Sequence, residues 1–239
     1  MKQRHWKILL TTLVMLAIAG SAMGQNVLVW AVGNEGGSTQ GVADYIMATG
    51  YFTSVTAIDS NLEPLSTLDD YDALLYFSNS PDGADPVAIG NVLADYADTG
   101  RRLVLATFSW ANQIGNTLEG RIIDDEISPF YFETSSLYST VTMASNDGHA
   151  IFGNVTEITG YYHDDVALMS GAEQHATWSD AEPMVADKGN VVGINLFPDD
   201  SWGQLEGDFE YLFANSLRDD VVATQVVSWG QVKAAFRTQ

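Results

Sequence analysis

The chain has 239 residues, 46% of them hydrophobic, with 31 acidic side chains against ten basic ones and no cysteine. Such an acidic surface repels nucleic acid and anionic lipid, so neither is an expected partner. The apolar content argues against a disordered chain, and without cysteine, stability must come from a packed core, helped at most by bound ions.

Lys2, Arg4 and Lys7 form a positive start, followed by an apolar stretch over residues 8–20 that is shorter than the ~20 residues of a membrane span. Ala22-Met23-Gly24 then supplies small residues before Gln25. The pattern reads as a cleaved signal peptide over 1–24, and it implies a secreted, periplasmic or cell-surface protein with no transmembrane segment in the mature chain. Residues 25–218 are enough for one sizeable domain, and 219–239 read as a C-terminal appendage.

Residues 26–32 are an apolar, β-branched run and predict a buried strand. Gly33-Asn34-Glu35-Gly36-Gly37 is a turn, and Ser38 or Thr39 caps a helix that stops at Gly50. Strands are expected at 55–58, 73–77 and 103–106, with a helix from Asp85-Pro86 to Gly100 between the last two. From Phe108 to about Ala150 the pattern loosens into a long loop region with short elements. Strand signals return at 166–169, 175–178, 183–186 and 191–196, and Asp208 to Leu217 is a last amphipathic helix. Strands that alternate with helices and read as continuous apolar runs predict an α/β fold. Its expected form is an open, doubly wound, mostly parallel sheet, a flavodoxin-like three-layer sandwich. In the appendage, 221–227 predicts an edge strand. Ser228 caps a short helix carrying Trp229, Val232 and Phe236, with Lys233 and Arg237 opposite.

Asn195-Leu196-Phe197-Pro198-Asp199 at the end of a buried strand resembles the Gln-Phe-His-Pro-Glu run of class I glutamine amidotransferase domains. Leu68-Asp69-Asp70-Tyr71-Asp72-Ala73-Leu74-Leu75 is similar to the lead-in to their third strand. Gly148-His149-Ala150-Ile151-Phe152-Gly153-Asn154-Val155 resembles an element of the trehalose-utilisation (ThuA-like) branch, which lacks the catalytic cysteine. The resemblance covers about 26–218 and implies the flavodoxin-like fold with a degenerate triad. Phe197 stands where the base would be, Asp199 where the acid would be, and the cysteine nucleophile is absent. Ser109 falls near the nucleophile elbow, but its bulky neighbours Phe108 and Trp110 do not suit so tight a turn.

The leading expectation is a non-catalytic binding or interaction module. Its ligand crevice at the strand ends is rimmed by Gly33, Asn34, Glu35, Ser78, Asn79, Ser109, Trp110, Phe197 and Asp199. No cofactor is expected. A rival reading is a hydrolase using Ser109 with His149 or His163 and Asp199. Another is a structural cell-envelope component. A divalent cation is an alternative, held by His163, Asp164 and Asp165, or by Asp199-Asp200. Aromatic residues beside Asp and Asn make a carbohydrate or a cell-envelope component the partner class to consider.

Overall fold

The computed structural model describes residues 24–80, 83–111 and 117–221. The signal-peptide pattern through Met23 and the appendage from residue 222 onward lie outside the described residues, and so do the expected tail helix and most of its strand.

In chain order the elements are β1 (Asn26–Val32), α1 (Thr39–Ala48), β2 (Ser54–Asp59), α2 (Leu65–Leu68), β3 (Ala73–Ser78), α3 (Pro86–Asp98) and β4 (Arg102–Ala106). There follow α4 (Arg121–Asp124), β5 (Phe130–Asn146), β6 (Ile158–Leu168), β7 (Glu173–Trp178), β8 (Pro183–Lys188), β9 (Val191–Ile194), β10 (Glu206–Gly207) and α5 (Phe209–Ser216). The ten strands form one sheet in the order β10-β6-β5-β7-β8-β9-β4-β3-β1-β2.

From β2 to β9 the sheet is parallel, as the continuous apolar runs predict. Period-two alternation sends Val27, Val29, Ala31, Leu75, Phe77, Val104 and Ile194 to one face, where α1 and α5 pack. Leu28, Trp30, Leu74, Tyr76, Leu103 and Leu105 go to the other face, against α3 and α4. Helix limits follow the sequence signals. Ser38 Oγ accepts from Gly41 N–H at 2.8 Å, Asp85 caps α3 ahead of Pro86, and Gly50 and Gly100 take positive φ just past the helix ends.

The other half departs from the expectation. Beyond β9 the pairing turns antiparallel through β8, β7, β5, β6 and β10, so the sheet is mixed. The region read as a long loop contains β5, the 17-residue strand. Its Glu, Thr, Tyr and Ser residues leave one face largely in solvent, so the strand carries too little apolar content to resemble the buried parallel ones. It is held by pairing with β6, Phe130 opposite Leu168 and Tyr138 opposite Tyr162, with two register shifts that bend it. The fold is α/β with a mixed sheet, in keeping with the flavodoxin-like class. Among the described residues no helix is long and apolar enough to cross a membrane.

Candidate functional site

β1, β3, β4 and β9 bring their carboxyl ends to one edge of the sheet, the place where an open α/β sheet offers a crevice. Part of the expected rim does meet there. Asn34 Nδ2 donates to Asp199 Oδ2 at 2.7 Å, and Asn79 Nδ2 donates to Asn34 Oδ1 at 3.3 Å. The same Asp199 oxygen accepts the Ser38 N–H at 2.6 Å, while its other oxygen takes the Ser201 N–H and hydroxyl at 2.8 and 2.5 Å. Burial pushes the Asp199 carboxyl up, and the hydrogen bonds from Ser201, Asn34 and Ser38 outweigh it, holding the group below its ordinary range. Gly37 has no room for a Cβ, which would collide with the Asp199 and Asn34 side chains.

The rest of the rim is not an open groove. Phe197 is 2% exposed and sits among rings: Phe108 at 5.2 Å, Phe77 at 5.6 Å, Tyr162 at 5.9 Å and Trp202 at 6.0 Å between centroids. These rings occupy the crevice. Ser78 is buried, its hydroxyl 3.4 Å from the Phe108 carbonyl. Glu35 is exposed beside the turn. Trp110 leaves the crevice altogether: it packs in the opposite core against Phe130, and its indole N–H donates to Ser128 Oγ at 3.1 Å. The outer edge of the ring cluster reaches solvent through Tyr138, 48% exposed, and Trp202, 43% exposed. Tyr138 is joined to the cluster through Tyr162 at 5.6 Å.

The residues of the hydrolase reading are not brought together. Ser109 is fully buried, and among the described residues no side chain hydrogen-bonds its hydroxyl. His163 Nε2 pairs with Asp180 Oδ2 at 2.7 Å, His149 stacks on His175, and Asp199 is occupied by the turn. A buried serine lacking a base has no route to a nucleophilic alkoxide.

His163, Asp164 and Asp165 do not converge either, because consecutive side chains of β6 point to opposite faces. His163 packs toward Trp178, Asp165 meets Thr134 at the surface, and Asp164 is buried on the other side. Asp200 is separate from Asp199: its Oδ1 accepts from Leu205 N–H. Burial pushes the Asp164 carboxyl up to about 7, against lowering contacts from Ser136 and the Trp110 backbone. Neither oxygen of Asp164 reaches hydrogen-bond geometry. Asn195 holds its backbone instead, accepting from Asp164 N–H at 2.7 Å and donating to Asp164 O at 2.8 Å and Pro183 O at 3.0 Å. Asn195 also accepts from the Thr107 hydroxyl at 3.1 Å. Its part in the fold was not visible in the sequence; a polar residue at the end of a buried apolar run was the available signal.

No protein-family model matches the chain, and no curated protein matches it by sequence. Among solved structures, a cytoplasmic protein of Salmonella typhimurium superposes with a TM-score of 0.57 at 12% identity, over 80% of this chain and 97% of that one. A second cytoplasmic protein, of Salmonella typhimurium LT2, gives 0.53 at 12% identity, over 80% and 94%. A glutamine amidotransferase from Thermotoga maritima matches more loosely, at 0.45 and 12% identity over 72% and 75%. These likenesses concern fold alone.

Proposed function

We propose that this chain is a non-catalytic, glutamine amidotransferase-like domain of flavodoxin-like architecture. It works outside the cytoplasm as a carbohydrate-binding module. The observation that carries the reading is the state of the strand-end crevice. The ring of Phe197, at the base position, is packed among Phe77, Phe108 and Tyr162, and the acid Asp199 is engaged by Asn34, Ser38 and Ser201. What that edge offers a ligand is aromatic surface, with Tyr138 and Trp202 at its exposed ends and the exposed acid Asp200 close to Trp202 in the chain. Sugars stack their C–H faces on such rings and hydrogen-bond to flanking carboxylates and amides. The secretory pattern at the N-terminus supports an encounter with envelope polysaccharides. The Salmonella proteins are described as cytoplasmic, but at 12% identity they bear on fold and not on address.

The test is tryptophan fluorescence titration of the purified chain with a panel of soluble oligosaccharides, including peptidoglycan fragments. Saturable quenching is expected in the parent chain. It should fall at least tenfold in affinity in Trp202→Ala, whose circular dichroism is unchanged. A parent that binds none of the panel sinks the reading. Ester or peptide turnover in the parent that disappears in Ser109→Ala would establish the hydrolase in its place.

A further inference from the structure

At the end of the sheet opposite the ring cluster, where β4 and β9 begin, lies a second polar cluster that the crevice does not use, with His175 as its buried member. His175, on β7, is 4% exposed. Its Nδ1 contacts Asp147 Oδ2 at 2.8 Å, and its Nε2 faces Asp187 Oδ1, on β8, at 3.4 Å. The pair does not reach hydrogen-bond geometry, and among the described residues Nε2 has no hydrogen-bond partner. His149, at the start of the 3-10 turn Ala150–Phe152, stacks on His175 with centroids 4.3 Å apart. Ligand atoms of His149, His175 and Asp187 all lie within 4.8 Å of one another.

We propose that His149, His175 and Asp187 form a divalent transition-metal site of the zinc type, with Asp147 orienting His175 from outside the coordination shell. Two histidines and one carboxylate are a set that zinc accepts, at about 2.0–2.2 Å per bond, which puts neighbouring ligand atoms of a tetrahedron roughly 3.3 Å apart. The Nε2–Oδ1 pair is already at that spacing. The Asp147 contact at Nδ1 reproduces the carboxylate–histidine–metal relay that fixes tautomer and ring direction. Beside His175 lies a cleft of about 240 Å³, lined by Asn146, Asp147, Gln174 and Thr177.

One movement completes the site. The two rings are inclined by only 26°, so their lone pairs do not yet share a focus. His149 is half-buried and must turn out of the stack, releasing the hydrogen bond it accepts from Ile151 N–H at 3.3 Å. Arg102 is buried at the start of β4 and places a cation near Asp187 and His149. A metal here would tie the 3-10 turn, β7 and β8 together in a chain that has no disulfide.

The experiment titrates untagged, chelator-treated chain with Zn2+ by calorimetry, follows Co2+ by visible absorption, and measures melting temperature with and without each metal. One equivalent of Zn2+ and a higher melting temperature are expected, with the intense visible bands of four-coordinate Co2+. His149→Ala and Asp187→Asn should weaken Zn2+ binding at least tenfold, and Asp147→Asn about 10–100-fold, each with an unchanged circular dichroism spectrum. Ca2+ and Mg2+ should do nothing, since they require oxygen-only shells. A chain indifferent to Zn2+, or one that binds it equally well in His149→Ala, overturns the site. So does an equal response to Ca2+, which would mark a merely acidic surface.

Discussion

Asn34 Nδ2 donates to Asp199 Oδ2 across 2.7 Å, joining residues 165 positions apart. That bond ties the exit of β9 to the turn after β1. The same carboxylate oxygen accepts the Ser38 N–H at the N-terminus of α1, where a negative charge also meets the favourable end of the helix dipole. The Asp199 carboxylate thus serves as a clamp between two loops.

Asp199→Ala leaves the Asn34 amide and the Ser38 N–H without this acceptor. The expected loss is about 2–3 kcal/mol, or roughly 4–10 °C in melting temperature for a domain of this size. Gly37→Ala should act in the same direction by pushing the carboxylate aside. Because the folded pKa of Asp199 is depressed, its stabilisation is present above the unfolded value near 3.9 and is lost as pH falls through the folded value. Unfolding curves of the parent and Asp199→Ala should therefore converge in strong acid. A constant gap down to pH 2 would show that the clamp acts through packing and not through charge.

Asp164 has the opposite sign. Its folded pKa is raised to about 7, so between roughly pH 4 and pH 7 the folded chain holds a proton that the unfolded chain has released. Stability then falls as pH rises through that window, by up to about 4 kcal/mol at ~1.4 kcal/mol per unit. Asp164→Asn, which stays neutral, should match the parent near pH 4 and exceed it at pH 8. Urea denaturation across pH measures the difference, and parallel profiles would refute it.

Phe197→His places an imidazole inside the ring cluster. The expected result is a destabilisation of about 2–4 kcal/mol with no glutaminase or ester hydrolysis, since the chain has no cysteine and Ser109 is buried. Glutamate release and a chromogenic ester assay, beside a melting curve, check both parts.

Ser109→Ala removes a buried hydroxyl that has no partner among the described residues. Losing an unsatisfied polar group should leave stability within about 1 kcal/mol of the parent, tending upward. A drop of several kcal/mol, seen in equilibrium unfolding, would reveal a hydrogen bond that the structure does not contain.

The parallel half was legible because its signals are local. Residues 26–32 and 73–77 are continuous apolar runs that only a sheet buried on both faces accommodates, and Ser38, Asp85, Gly50 and Gly100 mark helix limits within a turn of where they act. β5 was hidden because its signal is not local. Its exposed face carries Ser, Thr and Glu, and what makes it a strand is the partner β6.

Sequence alone determined that this chain has no cysteine, that phenylalanine stands at residue 197 and aspartate at 199, and that strands and helices alternate in its first half. Those are properties of composition, order and short-range period. Tertiary structure decided what these residues do. It set Phe197 among four rings, gave Asp199 to Asn34 and Ser38, turned Trp110 into the opposite core, and separated His163 from Asp164. It also gathered His149, His175 and Asp187 from three elements. Such meetings depend on strand register and crossover, since a shift of one residue turns every side chain of a strand to the other face. Spacing along the chain carries no record of that choice.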